Sequence, residues 1–345
     1  MASIYVIIPC YNARKYLEQA VDSVLTQPSK NIDIVLVDDG STDGTEVLCD
    51  QLSARHERVT VIHKENGGVS SARNAGIEYT LSKVSSGGTF VAFLDADDAW
   101  VPGFLNDSVE ELLNSGYDLI GFQSCNCNQN LRRNESLRQM RHTGYLHGGA
   151  ANVWSHSTQH FGAMFYSVAL LHKYCVRFQA GLKYSEDKKF SMQCLYLADA
   201  IYLENRIMYL YRRISTSAVS TRKYGIPYYI PIVDAYLELD MAMEKWATGQ
   251  RGTLYTGRHC ANVYLMDMID EHFQQWRRKR DIDHLLETHP EYVALLKSES
   301  PFRFIPLNTR FVEYSENPSG YILKQYIKGV FCFFRRCASY IYKRI

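Results

Sequence analysis

Four short apolar runs, each long enough for one strand, are separated from one another by helical patterns in the first part of the chain. They are Ile4–Ile8, Ile32–Val37, Val59–Ile62 and Phe90–Leu94. Continuous apolar runs of this length suit strands covered on both faces. Between them, Leu17, Ala20, Val21, Val24 and Leu25 fall at helical spacing, as do Val47, Leu48 and Leu52, and then Ala72, Ala75 and Ile77. Asn12 is placed to cap the first helix, Ser41 or Thr42 to open the second, and Ser70 or Ser71 the third. This alternation predicts an open, mostly parallel α/β sheet whose post-strand loops line one edge, where ligands bind.

The fourth run ends abruptly in Asp95-Ala96-Asp97-Asp98. Carboxylates crowded in this way repel one another unless a cation sits among them. Hard oxygen ligands suit Mg²⁺ or Mn²⁺. A metal at the carboxyl end of a strand in an open sheet points to a phosphate-bearing ligand. Strand alternation sends Asp95 and Asp97 to one face, leaving Asp98 as a helix cap or a hydrogen-bonding support.

The 345 residues suggest about two domains, and 46% hydrophobic with 22% charged residues is ordinary for a globular chain. A net charge of +1 gives no electrostatic case for binding nucleic acid. Nine Cys occur without CxxC pairs, which suggests a reducing compartment and thiols used as small core groups. Met1–Pro9 lacks the basic start of a secretion signal, and no window approaches the ~20 apolar residues of a membrane span. After Pro102 the pattern loosens. Residues 126–147 are polar and read as a mobile loop, followed by apolar segments at Phe161–Leu171 and Ala200–Leu203. From Lys223 onward the chain reads helical, through Val233, Tyr236, Leu237 and Leu239, then Tyr264, Leu265, Met268 and Ile269. The expected organisation is therefore an α/β domain over 1–220, divided near residue 100, and a helical region over 221–345.

Polar clusters follow the apolar runs in order: Pro9-Cys-Tyr-Asn12, Asp38-Asp-Gly-Ser-Thr-Asp-Gly-Thr45, Asn66-Gly-Gly-Val-Ser-Ser-Ala-Arg-Asn-Ala-Gly76 and Asp95-Ala-Asp-Asp98. Taken together they closely resemble the nucleotide-sugar half of glycosyltransferase family 2, with its GT-A fold. Tyr184-Ser-Glu-Asp-Lys-Lys-Phe190 and Tyr209-Leu-Tyr-Arg-Arg213 with Ser217 resemble the acceptor-side motifs of that family. The resemblance spans about residues 3–220. It implies a UDP-sugar donor held by Pro9, Tyr11, Asn12, Asp38, Asp39, Asn66, Gly67, Arg73, Asp95, Ala96, Arg212 and Ser217, with Asp97 and Asp95 on Mn²⁺ or Mg²⁺.

The residue chemistry agrees. Tyr11 can stack on a flat base. An Asp ending the second strand can accept the imide N–H of uracil, and Asp39 is favoured over Asp38, which can serve as a helix cap. Gly67-Gly68 permits close approach of base or ribose. Arg73 is expected to contact the nucleotide or the acids that hold it, and Arg212 and Arg213, with Ser217 and Ser220, to reach the diphosphate. Sugar transfer also needs a base within reach of the acceptor hydroxyl. The family pattern assigns this role to Asp187, with Glu186 holding a sugar hydroxyl. A single base without a covalent nucleophile gives one displacement and inversion. His156, His160, Trp100 and Trp154 are weaker candidates, for metal or sugar contact.

Residues 321–345 segregate on a helix into a basic face (Lys324, Lys328, Arg335) and an aromatic one (Tyr326, Phe333, Phe334). This pattern suits an anionic membrane surface, with packing onto the protein as the competing use. Trp276–Arg280 forms a second basic patch. Together with the resemblance, the tail predicts a peripheral enzyme at the inner membrane face, with a polyprenyl-diphosphate-linked saccharide acceptor. Two other functions, a sugar nucleotidyltransferase and a non-catalytic sugar-nucleotide-binding protein, are less well supported. The first lacks its Gly-rich basic loop after the first strand, and the second leaves the retained acids without a use.

Overall fold

The first apolar run forms β1 (Ser3–Cys10), and its neighbours bury it on both faces, with Val6, Ile7 and Ile8 fully enclosed. In the computed structural model, β2 (Ile32–Asp38) and β4 (Thr89–Phe93) pair in parallel with β1 on either side. β3 (Val59–His63) lies parallel beyond β2. The register aligns Cys10 with Asp38 and Asp38 with His63, so the carboxyl ends of these strands share one edge. The structure describes residues 2–84, 88–133, 143–147, 160–213, 226–246, 256–274, 279–297, 319 and 321–325. The chain divides into two units, Met1–Thr221 and Arg222–Ile345.

Alternation along the strands assigns each face its helices. Ile4, Val6 and Ile8 pack with Leu17, Val21 and Val24 of α1 (Leu17–Leu25) and with Cys49 and Leu52 of α2 (Thr45–Arg55). On the other face, Ile7, Val35 and Val37 meet Ala72 and Ile77 of α3 (Val69–Lys83). Beyond β4 the sheet becomes mixed. β5 (Ala99–Trp100), β6 (Leu119–Cys127), β8 (Met164–Ser167) and β9 (Ala200–Arg212) complete the order β3-β2-β1-β4-β8-β6-β9-β5, and β7 (Gly144–His147) pairs with β9. The short helix α4 (Asp107–Leu113) follows β5 and packs Val109 and Leu113 on the α1 face. Helices α5 (Val168–Lys173) and α6 (Glu186–Leu197) cover the α3 face, with Phe190 stacked on Phe178 at 4.0 Å.

Three local expectations are corrected. Asn12 does not cap α1: it adopts φ +50° and its side chain accepts from the Thr42 amide at 2.9 Å, so helix formation begins only at Leu17. Asn tolerates this left-handed backbone. Neither Ser41 nor Thr42 opens α2. Asp43 accepts from the Thr45 amide at 3.0 Å, because Gly44 at φ +89° carries the chain into the helix. The segment 126–147 is not all loop: Asn126 and Cys127 finish β6 and Gly144–His147 is a strand, while 134–142 lies outside the described residues.

The second unit contains α7 (Ile226–Trp246), α8 (Thr256–Gln274), α9 (Lys279–Thr288) and α10 (Pro290–Lys297). Its interior buries Ile232, Val233, Tyr236, Leu265, Met268 and Ile269. Tyr229 donates to Glu271 at 2.7 Å and Tyr292 to Asp234 at 2.6 Å. Among the described residues, no helix is long and apolar enough to cross a membrane.

Close packing of α3 on β1 requires Gly76, where an added Cβ would come within 2.5 Å of Ile7 Cγ2. Gly76→Ala should therefore destabilise the chain by about 1–3 kcal/mol despite the better helix propensity of Ala. Urea denaturation measures this, and an unchanged midpoint would mean that Ile7 repacks without cost.

Candidate functional site

The carboxyl ends of β1 and β4 and the start of α3 border a cleft of about 650 Å³. Its wall includes Pro9, Tyr11, Asn12, Asp39, Asn66, Asp95, Ala96 and Asp97, all singled out from sequence. Cys10, Ala13, Lys15, Tyr16, Gly68, Val69 and Ala72 also line it. Tyr11 is 56% exposed, an unusual state for an aromatic ring and one that leaves its face open to a planar ligand. Lys15 and Tyr16 were missed by sequence reading. Their position just after Asn12, before α1 begins, was the available signal.

Alternation at the end of β2 separates Asp38 from Asp39. Asp38 turns away from the cleft, accepting from the Ser41 amide at 3.1 Å and pairing with His63 Nδ1 at 3.0 Å. His63 Nε2 meets Asp50 at 3.0 Å. Against the cost of burial, the Ser41 and His63 hydrogen bonds hold the Asp38 carboxyl below its ordinary pKa. Asp39 faces the cleft and accepts from the amides of Gly67 at 3.0 Å and Gly68 at 2.8 Å, and from Lys64 Nζ. The carboxylate thus sits at the α3 N-terminus, where unpaired amides favour an anion. Gly68, at φ +84°, gives the tight entry that aims these amides.

The acidic turn after β4 has three different environments. Asp95 is held by Arg73 Nη2 at 2.8 Å. Asp98 is buried and accepts from the Tyr209 hydroxyl at 2.6 Å and the Arg212 amide at 2.7 Å, making it the hydrogen-bonding support. The Tyr209 hydroxyl also accepts from the Asp95 amide at 3.2 Å. Burial, followed by the charges of Asp95 and Asp97, pushes the Asp98 carboxyl well up. Asp97 is only partly buried and lines the cleft. Burial and then the charge of Asp95 push it up to about 6, against its own backbone amide and the weaker pull of Arg212.

This donor set fits a divalent cation. Among the described residues, no third His, Cys, Asp or Glu closes the Asp95–Asp97 pair into a larger cluster. One or two carboxylates completed by substrate phosphates and water is the usual Mg²⁺ arrangement.

Arg73 does not line the cleft. It is 3% exposed and bridges Asp95 to Glu186, reaching Glu186 Oε1 with Nη1 at 3.0 Å. Its guanidinium lies 4.3 Å from the Phe161 ring centroid and 5.2 Å from that of Phe178. Burial opposes its charge, yet Asp95 and then Glu186 hold its pKa above the ordinary value. Glu186 is pushed up to about 7 by burial and then by Asp187, against the pull of Arg73. Glu186 and Asp187 form the first turn of α6, after Ser185 at φ +65°. The Asp187 carboxylate accepts from the Lys188 amide at 2.7 Å and is half-buried.

Arg212 is placed differently from the expectation. It is buried, and its guanidinium is engaged by protein groups rather than lining the cleft. His160 accepts from the Gly162 amide and lies beside the Tyr209 ring, with burial pushing its pKa down. Trp100 is a core residue, edge-on to Phe165, and so is not available to a sugar. Trp154, His156, Ser217, Ser220, Trp276 and the tail from 326 to 345 lie outside the described residues.

Arg73→Met would remove the cation shared by two acids and leave Glu186 buried beside the charge of Asp187. Breaking a buried pair from one side costs about 3–5 kcal/mol. Denaturant titration should show a loss of that size, whereas a loss under about 1 kcal/mol would mean that the acids relax without their partner.

Residues 5–175 match the family described as Glycosyl transferase family 2. An uncharacterized glycosyltransferase, EpsJ of Bacillus subtilis, is 27% identical over 252 residues, covering 68% of this chain and 66% of EpsJ. The putative teichuronic acid biosynthesis glycosyltransferase TuaG of the same organism is 35% identical over 142 residues, covering 39% of this chain and 54% of TuaG. The matched stretch thus spans less than two thirds of either relative. The crystal structure of S. aureus TarS 1-349 superposes with a TM-score of 0.62 at 16% identity, covering 96% of this chain and 91% of that one. A second TarS structure, in complex with UDP-GlcNAc, gives a TM-score of 0.59 at 20% identity. The shared fold bears out the expected GT-A architecture with C-terminal helices. Residues 5–175, within the first unit, thus match glycosyl transferase family 2, and the fold is shared with the TarS structures.

Proposed function

We propose that the first unit transfers a hexose or N-acetylhexosamine from a uridine diphosphate sugar to a saccharide acceptor, with inversion and with Mn²⁺ or Mg²⁺. The observation that carries this reading is the cleft whose lining gathers Tyr11, Asp39, Asp95 and Asp97. Its volume of about 650 Å³ suits a nucleotide sugar. Tyr11 would stack on uracil. A carboxylate has about four acceptor positions. Gly67, Gly68 and Lys64 occupy three on Asp39, which leaves one for the uracil imide N–H.

Asp97 and Asp95 would hold the metal, which when bound neutralises the departing diphosphate. Asp187 would take the proton of the acceptor hydroxyl. Glu186, fixed by Arg73 and poised near neutrality, would hold a hydroxyl of the donor sugar or the acceptor. With one carboxylate base and no covalent nucleophile in this reading, the displacement is single and inverts the anomeric carbon.

The teichuronic acid role in the name of TuaG supports a surface-glycan product, and the UDP-GlcNAc bound to TarS supports a UDP-sugar donor. In the same reading the acceptor is polyprenyl-diphosphate-linked and the protein is peripheral on the inner membrane face. Support for that placement is the tail from Pro318, with six basic residues and no acidic one.

Asp187→Asn should abolish sugar transfer while leaving UDP affinity within about twofold, measured by donor turnover and calorimetry. Normal turnover would remove Asp187 as the base. Asp97→Ala should lose the Mn²⁺-dependent part of UDP binding, and an unaltered response to Mn²⁺ and chelator would contradict its role.

A further inference from the structure

The geometry points to Arg212 as a positioning residue for the donor cleft: one buried guanidinium fixes both the Asp97 main chain and the Tyr16 ring. This inference rests on the donor reading above. Arg212 is 1% exposed. Its Nε donates to the Asp97 carbonyl, its Nη2 to Gln19 Oε1 at 2.7 Å, and its Nη1 to the Gln129 carbonyl. The guanidinium carbon lies 4.5 Å from the Tyr16 ring centroid, and the backbone amide donates to Asp98 at 2.7 Å.

Three of the five guanidinium N–H groups are therefore engaged by protein, and the Tyr16 ring covers one face of the plane. Arg212 is absent from the cleft wall, whereas Asp97 and Tyr16 form part of it. The end of β9 thus reaches the cleft wall through the groups that Arg212 holds, beside the Tyr209 hydroxyl on the Asp95 amide. A planar fork can serve α1, the acidic turn and the turn after β6 at once, which a lysine ammonium on a flexible stem cannot. This assignment also separates Arg212 from a diphosphate ligand, because the guanidinium is buried and absent from the cleft wall.

The test compares the native chain with Arg212→Lys, Arg212→Met, Gln19→Leu and the double variant of Arg212→Lys with Gln19→Leu. Gln19 is not on the cleft wall, so its loss touches the donor only through Arg212. UDP binding with Mn²⁺ is measured by calorimetry, donor hydrolysis by steady-state kinetics, and folding by thermal melts. Arg212→Lys should weaken UDP about tenfold and Gln19→Leu by a few-fold, raising the donor KM more than it lowers kcat. The double variant should bind no more weakly than Arg212→Lys alone, because both changes act through one bond.

UDP affinity held within about twofold by Arg212→Lys but lost in Arg212→Met would reveal a direct charge contact and overturn the inference. Melts lowered with unchanged affinity and KM would reduce Arg212 to a structural role and also overturn it. If Arg212→Lys does not fold, Gln19→Leu decides alone, and native affinity there overturns the inference. A native chain that binds no uridine nucleotide would instead remove the donor reading on which it rests.

Discussion

The bridge from Asp95 through Arg73 to Glu186 is the interaction on which the rest of the site depends. Asp95 lies just after β4 and Glu186 begins α6, so residues far apart in sequence meet on one guanidinium. An unpaired arginine in that position would be prohibitively costly to bury. Two carboxylates and the faces of Phe161 and Phe178 stabilise its charge. In return the guanidinium sets where both acids can point. Any chemistry that uses the acids after β4 together with those opening α6 therefore inherits its geometry from Arg73.

Around that bridge the acids are sorted by their partners. Asp38 pairs with His63, Asp39 with Lys64 and two amides, Asp95 with Arg73, and Asp98 with Tyr209 and the Arg212 amide. Asp97 is the exception, with a cleft-facing carboxylate that burial and Asp95 make reluctant to ionise. In the proposed reading its partner would be a divalent ion with phosphate oxygens. The sheet provides the platform: three parallel strand ends bring Pro9, Asp39 and Asp95 to one edge, and the entry of α3 closes that side.

The first half of the fold was legible because its signals are local. Runs such as Ile4–Ile8 and Ile32–Val37 become strands, and the acids that follow them lie at the edge that alternation predicts. Asp39 rather than Asp38 faces the cleft for the same reason. Loop geometry was less legible. Asn12 looked like a cap, but a competing bond to Thr42 and a left-handed backbone direct it elsewhere. The resemblance puts Arg73 on the nucleotide or on the acids that hold it, and the structure places it on Asp95 and Glu186, whereas Arg212, expected at the diphosphate, is buried away from the cleft wall. Their burial depends on long-range partners, Glu186 for one and Gln19 and Gln129 for the other, which sequence spacing does not encode. The strand Gly144–His147 was hidden for a similar reason, since only its pairing with β9 defines it.

The most direct test is calorimetric titration of the native chain with UDP, first with Mn²⁺ and then with a chelator present. The account predicts saturable binding with Mn²⁺ that weakens at least about tenfold when the ion is removed. Equal affinity in both conditions, or no binding in either, would contradict a cation gripped between Asp95, Asp97 and the diphosphate.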